Sequence, residues 1–109
     1  MPEHFQVSTT SGSEEEARQL AHMAVEQGLA ACAQVSGPVT STFRWKGGIE
    51  VAQEWLCTLK TVERLVEQLV TAIRERHSYE LPEITATRIA GGDPEYLEWI
   101  ERSLSSPGT

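Results

Sequence analysis

An α+β fold, helices laid on one antiparallel sheet, is the class the sequence predicts, and three observations predict it. Residues 17–25 and 62–73 repeat apolar side chains at helical spacing. Residues 39–60 are rich in β-branched and aromatic residues and are folded in the middle by Lys46-Gly47-Gly48, a hairpin signature. Extended and helical patterns alternate along 109 residues without a linker or low-complexity segment, so residues 1–109 are expected to form one domain.

The elements follow in order. His4 to Thr9 alternates around Phe5 and Val7 and predicts a strand near one edge of the sheet. Ser13 with Glu16 forms a capping box that opens a helix with the stripe Ala17, Leu20, Ala21, Ala24 and Val25; His22 and Met23 fall off it and are expected to be exposed. Gly28 closes that helix. Leu29 to Val35, small and apolar, predicts a short buried strand, and Gly37-Pro38 a turn. Val39–Trp45 and Ile49–Lys60 are the two arms of the hairpin, the second about twice the usual strand length of roughly 5 to 6 residues. Thr61 is placed to cap a helix whose stripe includes Val62, Leu65, Val66, Leu69, Val70 and Ile73 and which ends near His77, before Pro82. Ile84 to Ile89 reads as a strand. Asp93 as N-cap and Pro94 at the first helical position start a last helix with Tyr96, Leu97, Ile100 and Leu104 on one face, and 105–109 reads as a frayed tail. Such an order, β-α-β-β-α-β-α, is the split βαβ or ferredoxin-like arrangement.

Composition narrows the function classes. Sixteen acidic against nine basic side chains give a formal charge of −7, which repels a phosphate backbone, so nucleic acid is not an expected partner. No apolar run approaches the roughly 20 residues a membrane helix needs. Met1-Pro2-Glu3-His4 lacks the basic flank and apolar block of a signal peptide, and a cytoplasmic location is expected. Cys32 and Cys57 form no C-x-x-C pair and read as reduced core thiols.

The chemistry concentrates between the second helix and the strand from Ile84. His77, Tyr79, Glu80 and Glu83 carry the parts for proton transfer, an imidazole beside carboxylates. The same residues also suit plain capping, with His77 against the last helical carbonyls. For a metal the donors are Cys32, Cys57, His4, His22, His77, Met1 and Met23, a soft set favouring copper or zinc, but no spacing among them closes a site. Gly47-Gly48 and Gly91-Gly92 lack the form of a phosphate loop. The rings of Phe43, Trp45 and Trp55, together with the unpaired edge of so long a hairpin, predict a subunit interface.

Six blocks, in order and spacing, resemble the CutA divalent-cation tolerance proteins: Ala17-Arg18-Gln19-Leu20-Ala21, Gly28-Leu29-Ala30-Ala31-Cys32-Ala33, Thr42-Phe43-Arg44-Trp45-Lys46-Gly47, Leu59-Lys60-Thr61, His77 to Glu83, and Tyr96-Leu97-Glu98-Trp99-Ile100. The resemblance spans about Val7 to Ile100. It implies a homotrimer similar in architecture to the PII regulatory proteins, with hairpins pairing across subunits. It further implies tolerance of copper or other divalent metals and no established catalytic reaction. Cys32 lies in a matching block, and with His77 is the metal-donor pair to examine. Where the family carries Pro between the His and the Tyr, this chain has Ser78. By analogy with PII proteins, a cleft between subunits is expected to hold a small metabolite or nucleotide, with Lys60, His77, Tyr79, Glu80, Glu83 and Arg88 around it and Lys46 as a further counter-charge. A hydrolase built on His77 and Glu83 is the third class of function considered.

Overall fold

Alternating side chains along four extended stretches, with apolar stripes on the segments between them, produce one sheet and its cover. A computed structural model describes residues 3–104. The elements are β1 (His4–Ser11), α1 (Glu14–Glu26), β2 (Cys32–Trp45), β3 (Gly48–Val62), α2 (Val66–Arg76, entered through a 3₁₀ turn at Glu63–Leu65), β4 (Ile84–Ile89) and α3 (Pro94–Leu104). The strands lie in the order β2-β3-β1-β4 and every pairing is antiparallel, the ferredoxin-like connection.

Several local predictions are met in detail. β4 spans Ile84–Ile89 as read, the Asp93 carboxylate accepts the Tyr96 N–H at 2.9 Å, and Pro94 opens α3. Lys46 and Gly47 both take positive φ, 49° and 84°, the twist a two-residue hairpin turn requires. Gly28, at φ 71°, follows α1 in the left-handed conformation that a Cβ would penalise.

Others depart from expectation. β1 is an inner strand, paired with β3 on one side and β4 on the other, because Val7 and Thr9 face the core and both neighbours supply partners. The short strand expected from Leu29 and the arm from Val39 are one strand of 14 residues beginning at Cys32. Gly37-Pro38 does not turn the chain but shifts the register between Ser36 and Val39. Thr61 caps no helix: it belongs to β3, and its hydroxyl donates to the Leu29 carbonyl at 2.8 Å. On α1, Met23 is buried and Val25 exposed, since the stripe that meets the sheet runs Ala17, Leu20, Met23, Ala24. The tail assigned to 105–109 lies outside the described residues.

The core has two parts. Val7 and Leu59 of the sheet pack against Leu20 and Ala24 of α1 and Leu69 and Ile73 of α2; Leu59, Leu69 and Ile73 are wholly enclosed. Each such side chain contributes about 2 kcal/mol or more relative to exposure. A smaller cluster of Val62, Leu65, Ile100 and Leu104 seats α3, which is also tied to β1 by His4: its Nε2 lies 3.1 Å from the Leu97 carbonyl and 2.8 Å from Glu101 Oε2.

The hairpin overruns this core. β1 pairs with β3 only from Trp55 to Val62, so Gly48 to Glu54 has β2 alone beside it. Ile49 and Val51 there are 69% and 65% exposed, and the molecule stretches to 44 × 27 × 21 Å.

Candidate functional site

The junction after α2 is built from side chains the sequence gives little reason to connect. At His77 the backbone leaves the helix for an extended conformation, φ −77° and ψ 140°, and its imidazole turns inward until none of it is exposed. Nε2 donates to the Thr10 carbonyl at 2.7 Å and Nδ1 accepts the Tyr79 N–H at 3.1 Å. Those two partners fix the Nε2–H tautomer and occupy both ring nitrogens. His77 therefore clamps the end of β1 to the loop, instead of capping the last carbonyls of α2, and presents no lone pair to a metal.

Glu16 completes the clamp. Its N–H bonds to the Ser13 hydroxyl at 3.1 Å, but its carboxylate does not close the expected capping box. It reaches across to Ser78, accepting from the backbone N–H at 2.8 Å and from the hydroxyl at 2.9 Å. A proline at 78 has no N–H to offer, so this link belongs to the serine.

Tyr79 points the other way. Its hydroxyl donates to Glu54 Oε2 at 2.8 Å, and its ring passes so near Gly12 that a Cβ there would stand 3.2 Å from the phenol oxygen. Glu54, although a carboxylate, is only 6% exposed. Burial first, then the bond to Glu54 and the charges of Glu54 and Glu16, push the Tyr79 phenol up to about 12. A phenol held above its ordinary value near 10 stabilises the fold fully below pH 10, and that contribution is lost as the pH climbs toward 12. Urea denaturation should show wild type losing more stability than Tyr79→Phe across this window; parallel losses would disprove the coupling.

Beyond Tyr79 the chain runs Glu80-Leu81-Pro82-Glu83 opposite the hairpin, and the two enclose an open concavity of about 810 Å³ with Thr10 at its back. Residues 41–45, Glu50 and Glu54 form the hairpin wall, residues 79–83 the other. Phe43 and Trp45 supply aromatic faces, four carboxylates line the space, and Arg44 is the cation among its lining residues.

The expected ligand cleft is thus gathered in part. Tyr79, Glu80 and Glu83 come together and His77 supports them from behind. Lys60 and Arg88 line no part of it: Lys60 bonds Gln34 Oε1 at 3.3 Å, and Arg88 pairs with Glu3 at 2.9 Å. Lys46 sits 5.7 Å over the Trp45 ring at the hairpin tip. Within one chain the cleft is acidic, the reverse of what a phosphate-bearing metabolite needs.

The metal donors are dispersed. Cys32 opposes Lys60, which opposes Gln6, whereas His77 holds Thr10; four residues of β1 separate the two levels, roughly 13 Å. Burial pushes the Cys57 thiol up to about 11, away from the thiolate a metal requires. Met23 is buried, His22 lies on the surface 3.9 Å from Glu26, and Met1 is outside the described residues. Among the described residues no three His, Cys, Asp or Glu side chains are grouped to hold an ion.

Sequence reading passed over Glu54, Thr10 and Gly12, and gave Glu16 only the role of a helix cap. A carboxylate next to Trp55 in a run that continues Leu56-Cys57-Thr58-Leu59 was the available signal for Glu54. Thr10, Gly12 and the link from Glu16 to Ser78 carried none, because these roles depend on residues far along the chain.

A split βαβ sheet with two helices on one face, a third helix at its end and an overlong hairpin beside a carboxylate-lined hollow defines a ferredoxin-like α+β protein. The model of the CutA1 divalent ion tolerance protein family matches residues 5–103, and the chain belongs to that family. It is 39% identical over 97 residues to the divalent-cation tolerance protein CutA of Thermus thermophilus, covering 89% of this chain and 94% of that one. Mouse Protein CutA is 38% identical over 103 residues, 92% of this chain; the chain spans only 58% of the mouse protein. The periplasmic divalent cation tolerance protein CutA of Archaeoglobus fulgidus superposes with a TM-score of 0.89 at 35% identity, over 93% of this chain and 98% of that one.

Proposed function

We propose that the protein serves divalent-cation tolerance as a homotrimer in the cytoplasm, responding to copper or another divalent metal and catalysing no reaction of its own. The observation that carries the assembly is the hairpin: residues 48–54 of β3 lean on β2 alone, and the two arms expose Ile49 and Val51 on β3 and Phe43 and Trp45 on β2. An apolar ribbon with a free outer edge is the kind of surface soluble proteins cover with another copy. The sheet ends in two different edges, β2 and β4, and head-to-tail contact between unlike surfaces closes into a ring when the rotation permits. Such a PII-like ring uses Phe43 and Trp45 directly. Trp55 contributes less, being half-buried against Gly37 of its own chain.

For the metal, the family membership is the support. The engagement of both His77 nitrogens leaves Cys32, half-buried on β2, as the thiol donor retained from the expected pair. Sedimentation velocity at micromolar concentration is expected to give a trimer, and calorimetric titration with copper chloride to give heat that Cys32→Ser removes. A stable folded monomer sinks the assembly; heat unchanged by the substitution sinks the assignment of Cys32.

A further inference from the structure

Glu54 poses an electrostatic question that the metal-tolerance proposal does not answer. Only 6% of it is exposed, and it lines the back of the concavity. Oε2 accepts the Tyr79 hydroxyl, and among the described residues neither oxygen meets a lysine, arginine or histidine. Oε1 has no hydrogen-bond partner there, yet it is not among the sealed, unsatisfied atoms, of which Thr9 Oγ1 is the one example; it faces the open space. A buried carboxylate with a vacant oxygen is costly unless a cation arrives to meet it.

The hollow states which kind. A metal ion needs several donors at about 2 Å, and no three acidic, His or Cys groups converge among the described residues. About 810 Å³ lies within the range of a small-molecule site and far exceeds one ion. Phe43 and Trp45 offer aromatic faces on the hairpin side, and Leu81 and Pro82 an apolar wall opposite. Glu50, Glu80 and Glu83 add negative potential around the space, against the single positive charge of Arg44.

We propose that this concavity binds an organic ammonium ion with an apolar or aromatic body, its charged nitrogen hydrogen-bonded to Glu54 Oε1 and its body lying on Trp45 and Phe43. Tyr79 holds the carboxylate in place through Oε2 and so leaves Oε1 to the ligand. The site goes beyond metal tolerance and calls for different chemistry, a charge-assisted hydrogen bond and a cation near aromatic rings.

Phenethylamine as its ammonium salt is the probe, followed by calorimetry and by tryptophan fluorescence on the assembled protein, with 2-phenylethanol, zinc chloride alone and sedimentation run in parallel. Saturable binding of the amine is expected, with no comparable binding of the alcohol. Glu54→Gln, which can still accept the Tyr79 hydroxyl, should weaken it on the order of tenfold or more. Glu80→Gln alters an exposed carboxylate on the wall opposite the hairpin, outside the proposed subunit contact, keeps the measurement informative if Glu54→Gln misfolds, and should cost on the order of threefold. No saturable binding, equal binding of the alcohol, or unaltered affinity in both variants overturns the proposal. So does displacement of the amine by zinc alone through Glu54, which would make this a metal site. If Glu54→Gln breaks the assembly while wild type ignores the amine, a second copy of the chain fills the hollow, and the proposal again falls.

Discussion

Gly37→Ala is expected to lower stability by about 3 kcal/mol or more, a large share of the roughly 5 to 15 kcal/mol that holds a domain folded. A Cβ at this position would stand 2.8 Å from Trp55 Cδ1, 3.0 Å from Cγ and 3.1 Å from the Glu54 carbonyl oxygen. The indole is half-buried and the carbonyl belongs to the strand, so neither can retreat without moving β3. Backbone strain adds to the clash, because φ is +152°, outside the range that L side chains readily adopt. Overpacking and strain are each worth roughly 1–3 kcal/mol. Gly47→Ala is the control: φ is +84°, but nothing lies within 4 Å, and the cost should be nearer 1 kcal/mol. Urea titrations followed by tryptophan fluorescence compare the two; equal losses would mean that contact with Trp55 is not what requires glycine at 37.

His77→Ala is expected to cost about 3 kcal/mol or more, although His77 sits on a connection between elements. The imidazole is wholly enclosed, so its removal opens a void. It also leaves the Thr10 carbonyl and the Tyr79 N–H without their partners. Release should spread along the loop: hydrogen exchange at the Tyr79 amide should quicken far more than at Leu69 in α2, and the Tyr79–Glu54 bond should weaken with it. Copper heat, where present, should survive the substitution in molecules that remain folded. Its disappearance would show that His77 is a ligand and not a clamp.

Glu16 and Ser78 show how local rules were overruled. Ser13 followed three residues later by Glu16 is a sound capping signal, and its Ser13 half forms. The carboxylate goes instead to Ser78, 62 residues away, because there it meets two donors at once. Similarly Thr61 looks like a helix cap until Leu29, 32 residues earlier, offers its carbonyl inside the sheet. Gly37-Pro38 reads as a turn, yet strong pairing on both sides turns it into an irregularity within a continuous strand. Local preferences amount to about 1 kcal/mol apiece. A ladder of hydrogen bonds or a better-placed donor outweighs them.

By itself the sequence determined the α+β class, the hairpin about Lys46-Gly47-Gly48, the span of β4, the Asp93-Pro94 start of α3 and, through six ordered blocks, the family. These depend on side-chain periodicity, turn stereochemistry and capping, all set within a few residues. Only the tertiary structure decided that β1 lies inside the sheet, that His77 spends both nitrogens on Thr10 and Tyr79, and that Glu54 faces a hollow while its carboxylate pairs with no cation among the described residues. Apart from the local bond between His77 and Tyr79, these rest on groups 25 to 67 residues apart, or on the order of whole strands. Such pairings are chosen by which buried polar atoms can all be satisfied together, a condition no single stretch of chain contains.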